Sequence, residues 1–205
     1  MHYGVILNDT GSLARIGPLD EAPYKGAPKA PVLYLKPANT LASADAPILL
    51  PEGAATLEIG ATVGLVIAAP AARLDPARAL DAVGEIVLLC DLARPHASVH
   101  RPAIRERCFD GSLVVGPTGS VAALAGLELV TSVDGVEVDR FALADLVRPP
   151  ARLLADVTEF MTLVPGDVLM VGVRHRAPEA GAGATIAIEA EGLGRLAFTL
   201  SEDRA

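Results

Sequence analysis

Hydrophobic and polar positions alternate most regularly between residues 56 and 67, in the segment TLEIGATVGLVI. Its apolar residues share one side of an extended chain, whereas the other side carries threonine, glutamate and glycine, including Glu58, Gly60 and Thr62. Because side chains two residues apart point to the same face of a strand, this pattern predicts a half-buried strand with one polar face.

Apolar runs and turn residues predict further strands. Residues 85–90, EIVLLC, form an apolar run that predicts a buried strand, with Asp91 just past its end. Asp134 and Gly135 lie between two alternating runs and are the strongest short hairpin signal in the chain. Other strands are expected at residues 32–35, 48–50 and 167–173, and a closing hairpin at residues 185–189 and 195–200.

Two segments carry helix signals. Asp75 followed by Pro76 is a favourable helix start, and Gly84 marks the end of that segment. Residues 150–161, PARLLADVTEFM, predict an amphipathic helix. Its apolar side carries Leu153, Leu154, Val157 and Met161.

The number and order of these elements predict a strand-rich α+β fold. About ten strands and two or three helices, without regular strand–helix alternation, indicate a mixed β-roll. Residues 1–30 are rich in turn-forming residues, and we expect them to form an irregular N-terminal arm. Because no repeat or linker divides the remainder, we expect residues 31–205 to form a single domain.

Composition and charge exclude several classes of protein. The chain has 205 residues, of which 51% are hydrophobic and 20% charged, so it has enough apolar residues to bury a core. A net charge of −8 disfavours nucleic acid as a partner. No apolar run is long enough to span a bilayer, and residues 1–11 lack a secretory pattern. We therefore expect a cytoplasmic protein with no nucleic-acid or membrane partner.

Both cysteines and two histidines lie in one short segment of the chain. Cys90, His96, His100 and Cys108 are the types of residue that bind zinc. A structural zinc site needs closely spaced ligand pairs, but the cysteines are 18 residues apart and prolines bracket the histidines. We therefore disfavour zinc and interpret Cys90 as a packing residue.

The same segment carries a carboxylate and three arginines. Asp91 is a candidate site residue, since a carboxylate beside a buried strand is costly unless it is paired or bound to a metal; a purely structural role is equally open. Arg101, Arg105 and Arg107 either form a solvated surface or clamp a substrate carboxylate through paired hydrogen bonds. Arg174 belongs to a second basic cluster after a later predicted strand.

The order of several short motifs resembles the fumarylacetoacetate hydrolase family. These motifs are LKPANT at 35–40, ILLP at 48–51, the alternating strand near 63–67, RPAI at 101–104, Cys108, DG at 110–111 and LVPGD at 163–167. More narrowly, the chain is similar to the N-terminal half of the bifunctional decarboxylase/isomerases of homoprotocatechuate (4-hydroxyphenylacetate) breakdown. The resemblance implies a strand-rich mixed roll and a small anionic substrate of the 2-oxo carboxylate class.

The resemblance also implies a metal cofactor, Mg²⁺ or Mn²⁺. Family members hold the metal through two glutamates of an E-x-E on one strand and an aspartate from the next, and the metal stabilises an enolate of the 2-oxo acid. Asp91 matches that aspartate, whereas Gly60 and Thr62 occupy the positions of the two glutamates. Arg107 takes the position of a catalytic lysine, and arginine does not release its proton near neutral pH.

These matches assign expected roles to individual residues. Asp91 is expected to bind metal, Asp91 and Arg107 to take part in catalysis, and Lys36, Arg101, Arg105 and Arg174 to bind substrate. One interpretation is a metal-assisted decarboxylase/isomerase subunit. The alternative is a metal-poor, non-catalytic subunit that forms a homodimer or pairs with an active paralogous half. A third is a carboxylate-binding module without turnover.

Overall fold

Two β-sheets form most of the structure. The computed structural model describes residues 1–22, 26–96 and 103–202. The larger sheet contains β1 (His2–Ile6), β2 (Val32–Lys36), β3 (Leu41–Ser43), β5 (Thr56–Ile67), β6 (Val83–Ala93), β7 (Leu113–Gly119), β10 (Val168–Met170) and β11 (Glu179–Gly181). The smaller sheet contains β4 (Ile48–Leu50), β8 (Glu128–Val133), β9 (Val136–Ala142), β12 (Thr185–Ala190) and β13 (Gly194–Glu202).

The strand order places the long β5–β6 pair in the middle of the larger sheet. That order is β2-β1-β10-β5-β6-β7-β3, and β11 also pairs with β5. The smaller sheet has the order β4-β13-β12-β8-β9. The β1–β10 pair is parallel, whereas β5 and β6 are antiparallel, so the larger sheet is mixed.

Short helices connect the strands. They are α1 (Thr10–Ile16), α2 (Ile104–Arg107) and α3 (Pro150–Thr158), with turns of 3-10 helix at Ala38–Thr40, Ala79–Ala82, Val121–Leu124 and Leu143–Asp145. Asp9 caps α1, because its carboxylate accepts a hydrogen bond from the backbone amide of Ser12 at 2.7 Å. No helix in the described parts of the chain has the length and apolar character needed to cross a membrane. The predicted strand-rich α+β fold is confirmed.

The β5–β6 ladder brings the conspicuous polar positions of the sequence together. Gly60 pairs with Asp91 across the ladder, and Thr62 pairs with Leu89. β6 extends to Ala93, so Asp91 lies within the strand and not just past its end as predicted. The charge is tolerated there because Lys36 and Arg107 both pair with it.

β5 is buried on both faces, so the prediction of a half-buried strand is wrong. Its apolar face belongs to the main core, which also contains the fully buried Leu153, Leu154 and Val157 of α3. Its second face is covered because glycine allows close packing there. A Cβ atom on Gly64 would lie only 2.5 Å from Cγ1 of Val168 and 2.9 Å from Cδ1 of Leu89.

Two other predictions also differ from the structure. Residues 1–30, expected to be an irregular arm, contain β1 and α1, and β1 lies between β2 and β10 in the larger sheet. The helix predicted from Asp75 is a turn followed by a short 3-10 helix. There, Oδ1 of Asp75 accepts a hydrogen bond from the amide of Ala77 at 2.9 Å, which closes a local turn in place of a helix.

The predictions that depended on local signals are confirmed. β8 and β9 form an antiparallel pair around Asp134 and Gly135, whose φ angles of 51° and 80° suit the predicted hairpin turn. β12 and β13 form the closing hairpin. α3 covers most of the predicted amphipathic segment.

Leu88 tests the contribution of the β5–β6 pair to the main core. Its side chain is fully buried, so Leu88→Ala should lower the free energy of unfolding by about 2–5 kcal/mol in urea denaturation. Leu49→Ala is the matched control, because Leu49 is 50% exposed on β4. Equal losses in the two variants would contradict the assignment of the core.

Candidate functional site

The carboxylate of Asp91 is the centre of a buried polar cluster. Lys36 Nζ lies 2.5 Å from Oδ1 of Asp91, and Nη1 of Arg107 donates to Oδ2 at 2.7 Å. The hydroxyl of Tyr34 also donates to Oδ2, at 2.5 Å. The Lys36 and Asp91 side chains are 0% exposed and that of Arg107 is 5% exposed. Two cations and a phenol therefore already engage the carboxylate.

Lys36 reaches this cluster from β2 and binds several backbone oxygens. Its ammonium donates to the carbonyl of Leu92 at 3.3 Å, to the carbonyl and hydroxyl of Ser112 at 2.9 Å each, and to the carbonyl of Arg107. Its approach to Asp91 is an ion contact and not a directed hydrogen bond. Burial lowers the pKa of Lys36, and the charge of Asp91 opposes that change.

Arg107 is held at the C-terminal end of α2. Its guanidinium lies 5.0 Å from the centroid of the Tyr34 ring, within the range of a cation–π contact. Burial alone would lower the pKa of Arg107, but the neighbouring Tyr34, Asp91 and Glu58 raise it, so the group stays charged. Burial and the Asp91 charge raise the pKa of Tyr34 well above its usual value, so the phenol remains a hydrogen-bond donor.

Two further titratable groups lie near this cluster. Glu58 is 5% exposed on β5, and burial raises its pKa to about 7, which the charge of Arg107 partly opposes. His175 is also buried. Burial, followed by the charge of Arg176, lowers the pKa of His175 to about 4. At neutral pH the imidazole of His175 is therefore uncharged.

These residues do not fit a divalent metal of the kind that the resemblance implies. A Cβ atom at Gly60 would lie 2.6 Å from the backbone oxygen of Asp91 and from Cγ1 of Val173, so a glutamate has no room there. The Thr62 hydroxyl donates to the carbonyl of Gly172 at 2.6 Å. Among residues 1–22, 26–96 and 103–202, no group of three His, Cys, Asp or Glu side chains is arranged to hold a metal.

The structure brings together only part of the predicted site. Lys36, Asp91 and Arg107 converge, whereas Arg105 is exposed on α2 and lines a separate open groove. Arg174 pairs with Asp139 at 2.5 Å. Arg101, like His100, lies outside the described residues. Cys90 is a buried core residue, as predicted.

The sequence analysis missed Tyr34 and Ser112 as neighbours of the site. One available signal was the spacing of Tyr34 and Lys36, because side chains that are two residues apart in a strand lie on the same face. Ser112 gave no signal, since its contact with Lys36 joins parts of the chain that are 76 residues apart.

A family model for the fumarylacetoacetate (FAA) hydrolase C-terminal domain matches residues 1–201. The chain belongs to the fumarylacetoacetate hydrolase family. Within this family, the 4-hydroxyphenylacetate degradation bifunctional isomerase/decarboxylase of Escherichia coli is 32% identical over 203 residues. That match covers 98% of this chain but 47% of the relative, so the chain spans about half the length of this curated relative.

Solved structures of family members share the fold. A fumarylpyruvate hydrolase from Pseudomonas aeruginosa, in complex with Mn²⁺ and pyruvate, matches with a TM-score of 0.86 at 18% identity, covering 98% of this chain and 89% of its own. A 5-carboxymethyl-2-hydroxymuconate delta-isomerase from Mycobacterium smegmatis matches with a TM-score of 0.83 at 24% identity, covering 100% and 79%. At these identities the likeness concerns the fold alone.

Asp91→Asn tests the balance of charge in the cluster. The substitution leaves the Lys36 and Arg107 cations without their buried anion, and we expect a loss of about 3–5 kcal/mol in the free energy of unfolding, measured in urea. Asp81→Asn is the control. It removes an ion pair with Arg78 in which both side chains are more than half exposed, so it should cost less than about 1 kcal/mol. Similar losses in both variants would refute the buried network.

Glu58→Gln tests the buried neutral carboxyl group. The pKa of Glu58 is raised from 4.5 to about 7 in the folded chain, so folding favours its protonated form. Its stabilising contribution is complete below pH 4.5 and is lost as the pH rises through about 7. Unfolding free energies measured across this window should show the wild type losing about 3 kcal/mol relative to Glu58→Gln. Parallel pH profiles would contradict this assignment.

Proposed function

We propose that this chain is a metal-poor subunit of a decarboxylase/isomerase that acts on 2-oxo carboxylates in 4-hydroxyphenylacetate catabolism. In this proposal it pairs with a paralogous half, and that half holds the Mg²⁺ or Mn²⁺ ion. The observation that carries the proposal is the Asp91 carboxylate, whose two oxygens face Lys36 and Arg107. A carboxylate engaged in this way is not free to bind a metal.

The relatives support the choice of pathway and the idea of a partner. The E. coli protein that is 32% identical to this chain has isomerase and decarboxylase activities by name. This chain corresponds to 47% of its length, which leaves room in that relative for a second unit of similar size. In this proposal, a separate paralogous chain corresponds to that second unit.

The site chemistry favours the metal-poor interpretation over independent metal-assisted catalysis. A metal in this family would act as a Lewis acid on the enolate of a 2-oxo acid. Mg²⁺ requires near-octahedral oxygen ligands at about 2.0–2.1 Å, whereas Gly60 contributes no side chain and Thr62 donates its hydroxyl proton to Gly172. In the part of the chain that the structure describes, these residues therefore supply ion pairing and hydrogen bonds but no metal-binding set.

Metal titration separates the two interpretations. In isothermal titration calorimetry of the purified chain with MnCl₂ or MgCl₂, we expect only the heat of dilution. An Asp91→Ala variant should give the same baseline. Saturable binding of one Mn²⁺ per chain that disappears in Asp91→Ala would overturn the proposal and favour an independent metal-dependent enzyme.

Co-expression tests the paralogous partner. The partner is recognised as a family member with glutamate at both positions that align with Gly60 and Thr62. We expect the two chains to co-purify, and the complex to convert 5-carboxymethyl-2-oxo-hex-3-ene-1,7-dioate with added MgCl₂. This chain alone should show no turnover under the same conditions. Full activity of the partner without this chain, or turnover by this chain alone, would contradict the pairing.

A further inference from the structure

Five oxygen atoms surround the ammonium group of Lys36, and we call them the oxygen cage. They are the carbonyl oxygens of Leu92, Arg107 and Ser112, the hydroxyl oxygen of Ser112 and Oδ1 of Asp91. Leaving aside Arg107, their distances from Nζ run from 2.5 to 3.3 Å. The cage joins β6, the end of α2 and the turn that precedes β7.

Every member of the oxygen cage presents a lone pair to Lys36. Carbonyl and carboxylate oxygens only accept hydrogen bonds. The hydroxyl of Ser112 donates its own hydrogen to the carbonyl of Arg107 at 2.8 Å, so it too faces Lys36 as an acceptor. A neutral amine would offer two hydrogens to these five acceptors, whereas an ammonium offers three. The cage is therefore built to hold a positive charge.

The charge and size of the cage favour a monovalent ion. Asp91 is its single formal anion, and Arg107 shares that charge through Oδ2. The distances exceed the roughly 2.0–2.1 Å that Mg²⁺ demands. Rings of carbonyl oxygens replace the hydration shell of K⁺ in other proteins, and ammonium groups bind to the same kind of oxygen.

We propose that the oxygen cage is a monovalent-cation site that the chain fills with its own lysine. Lys36 is fully buried and faces the cage. In this proposal it is a positioning residue that fixes Arg107 and Ser112. The sequence had suggested a different role for it, the binding of substrate. This inference does not depend on the proposed pairing with a second subunit, because it concerns contacts within one chain.

Lys36→Ala tests the cage, because it opens the cation position without changing any of the five oxygens. We expect the variant to be less stable than the wild type in choline chloride and to regain stability in KCl or propylammonium chloride. At ten times the dissociation constant, occupancy should raise the folding equilibrium constant about elevenfold. MgCl₂ should give a smaller gain. Thermal unfolding followed by circular dichroism measures these changes.

Lys29→Ala is the matched control, since Lys29 is exposed. Neither it nor the wild type should respond selectively to K⁺ or propylammonium. A folded Lys36→Ala variant without a selective, saturable response would overturn the proposal. So would a variant that stays unfolded in every one of these salts.

The wild-type ammonium provides a second measurement that does not require the alanine variant to fold. A buried, hydrogen-bonded ammonium should give a slowly exchanging Nζ signal in ¹H–¹⁵N correlation spectra at neutral pH. That signal should be lost in Lys36→Arg, which keeps the charge, and retained in Lys29→Ala. Rapid exchange of the Lys36 signal with water, or a neutral amine at this position, would refute the cage.

Discussion

The ion contact between Lys36 and Asp91 constrains the shape of the larger sheet. Four strand spacings separate β2 from β6 in the sheet order, and at ~4.8 Å each a flat sheet would hold these strands about 19 Å apart. A lysine side chain cannot span that distance. The 2.5 Å contact therefore requires a strongly curled sheet, in which β2 approaches β6. Burying the Lys36 ammonium is costly unless it is paired, so an uncurled sheet would leave that charge without its buried anion.

Glycines in β1 and β5 leave the space that close packing around the cluster needs. The Tyr34 ring lies against Gly4, where a Cβ atom would be 2.0 Å from Cζ of the ring. Gly60 and Gly64 likewise have no space for a Cβ atom. In the alignment that the resemblance implies, the glycine that allows Asp91 and its neighbours to pack closely also stands at the position of the first family glutamate. Close packing and the absence of a carboxylate at this position therefore have one structural cause at Gly60.

Local signals predicted the fold better than they predicted the site. The alternation in β5, the Asp134–Gly135 turn and the amphipathic α3 each depend on interactions between near neighbours in sequence, and all three elements form. The double burial of β5 and the inclusion of β1 in the sheet depend on distant strands, so no local pattern revealed them. The site also depends on distant parts of the chain. Its residue types were visible in the sequence, but Asp91 contacts Lys36, which lies 55 residues before it, and Arg107, which lies 16 residues after it. Arg105 and Arg174, chosen for their charge and neighbourhood alone, do not converge with them.

Building the metal site that the resemblance implies would involve several coupled residues, so no single substitution achieves it. A glutamate at Gly60 meets the backbone of Asp91 at 2.6 Å before its carboxylate can be placed. Even if a glutamate fitted there, Asp91 would have to give up its ion pairs with Lys36 and Arg107 to bind a metal. Both cations would then lack a buried partner. Removing Lys36 in turn exposes five inward-facing oxygens whose spacing suits a larger ion than Mg²⁺. In the proposed pairing, the polar centre of this chain needs no metal, because Lys36 and Arg107 already pair with Asp91.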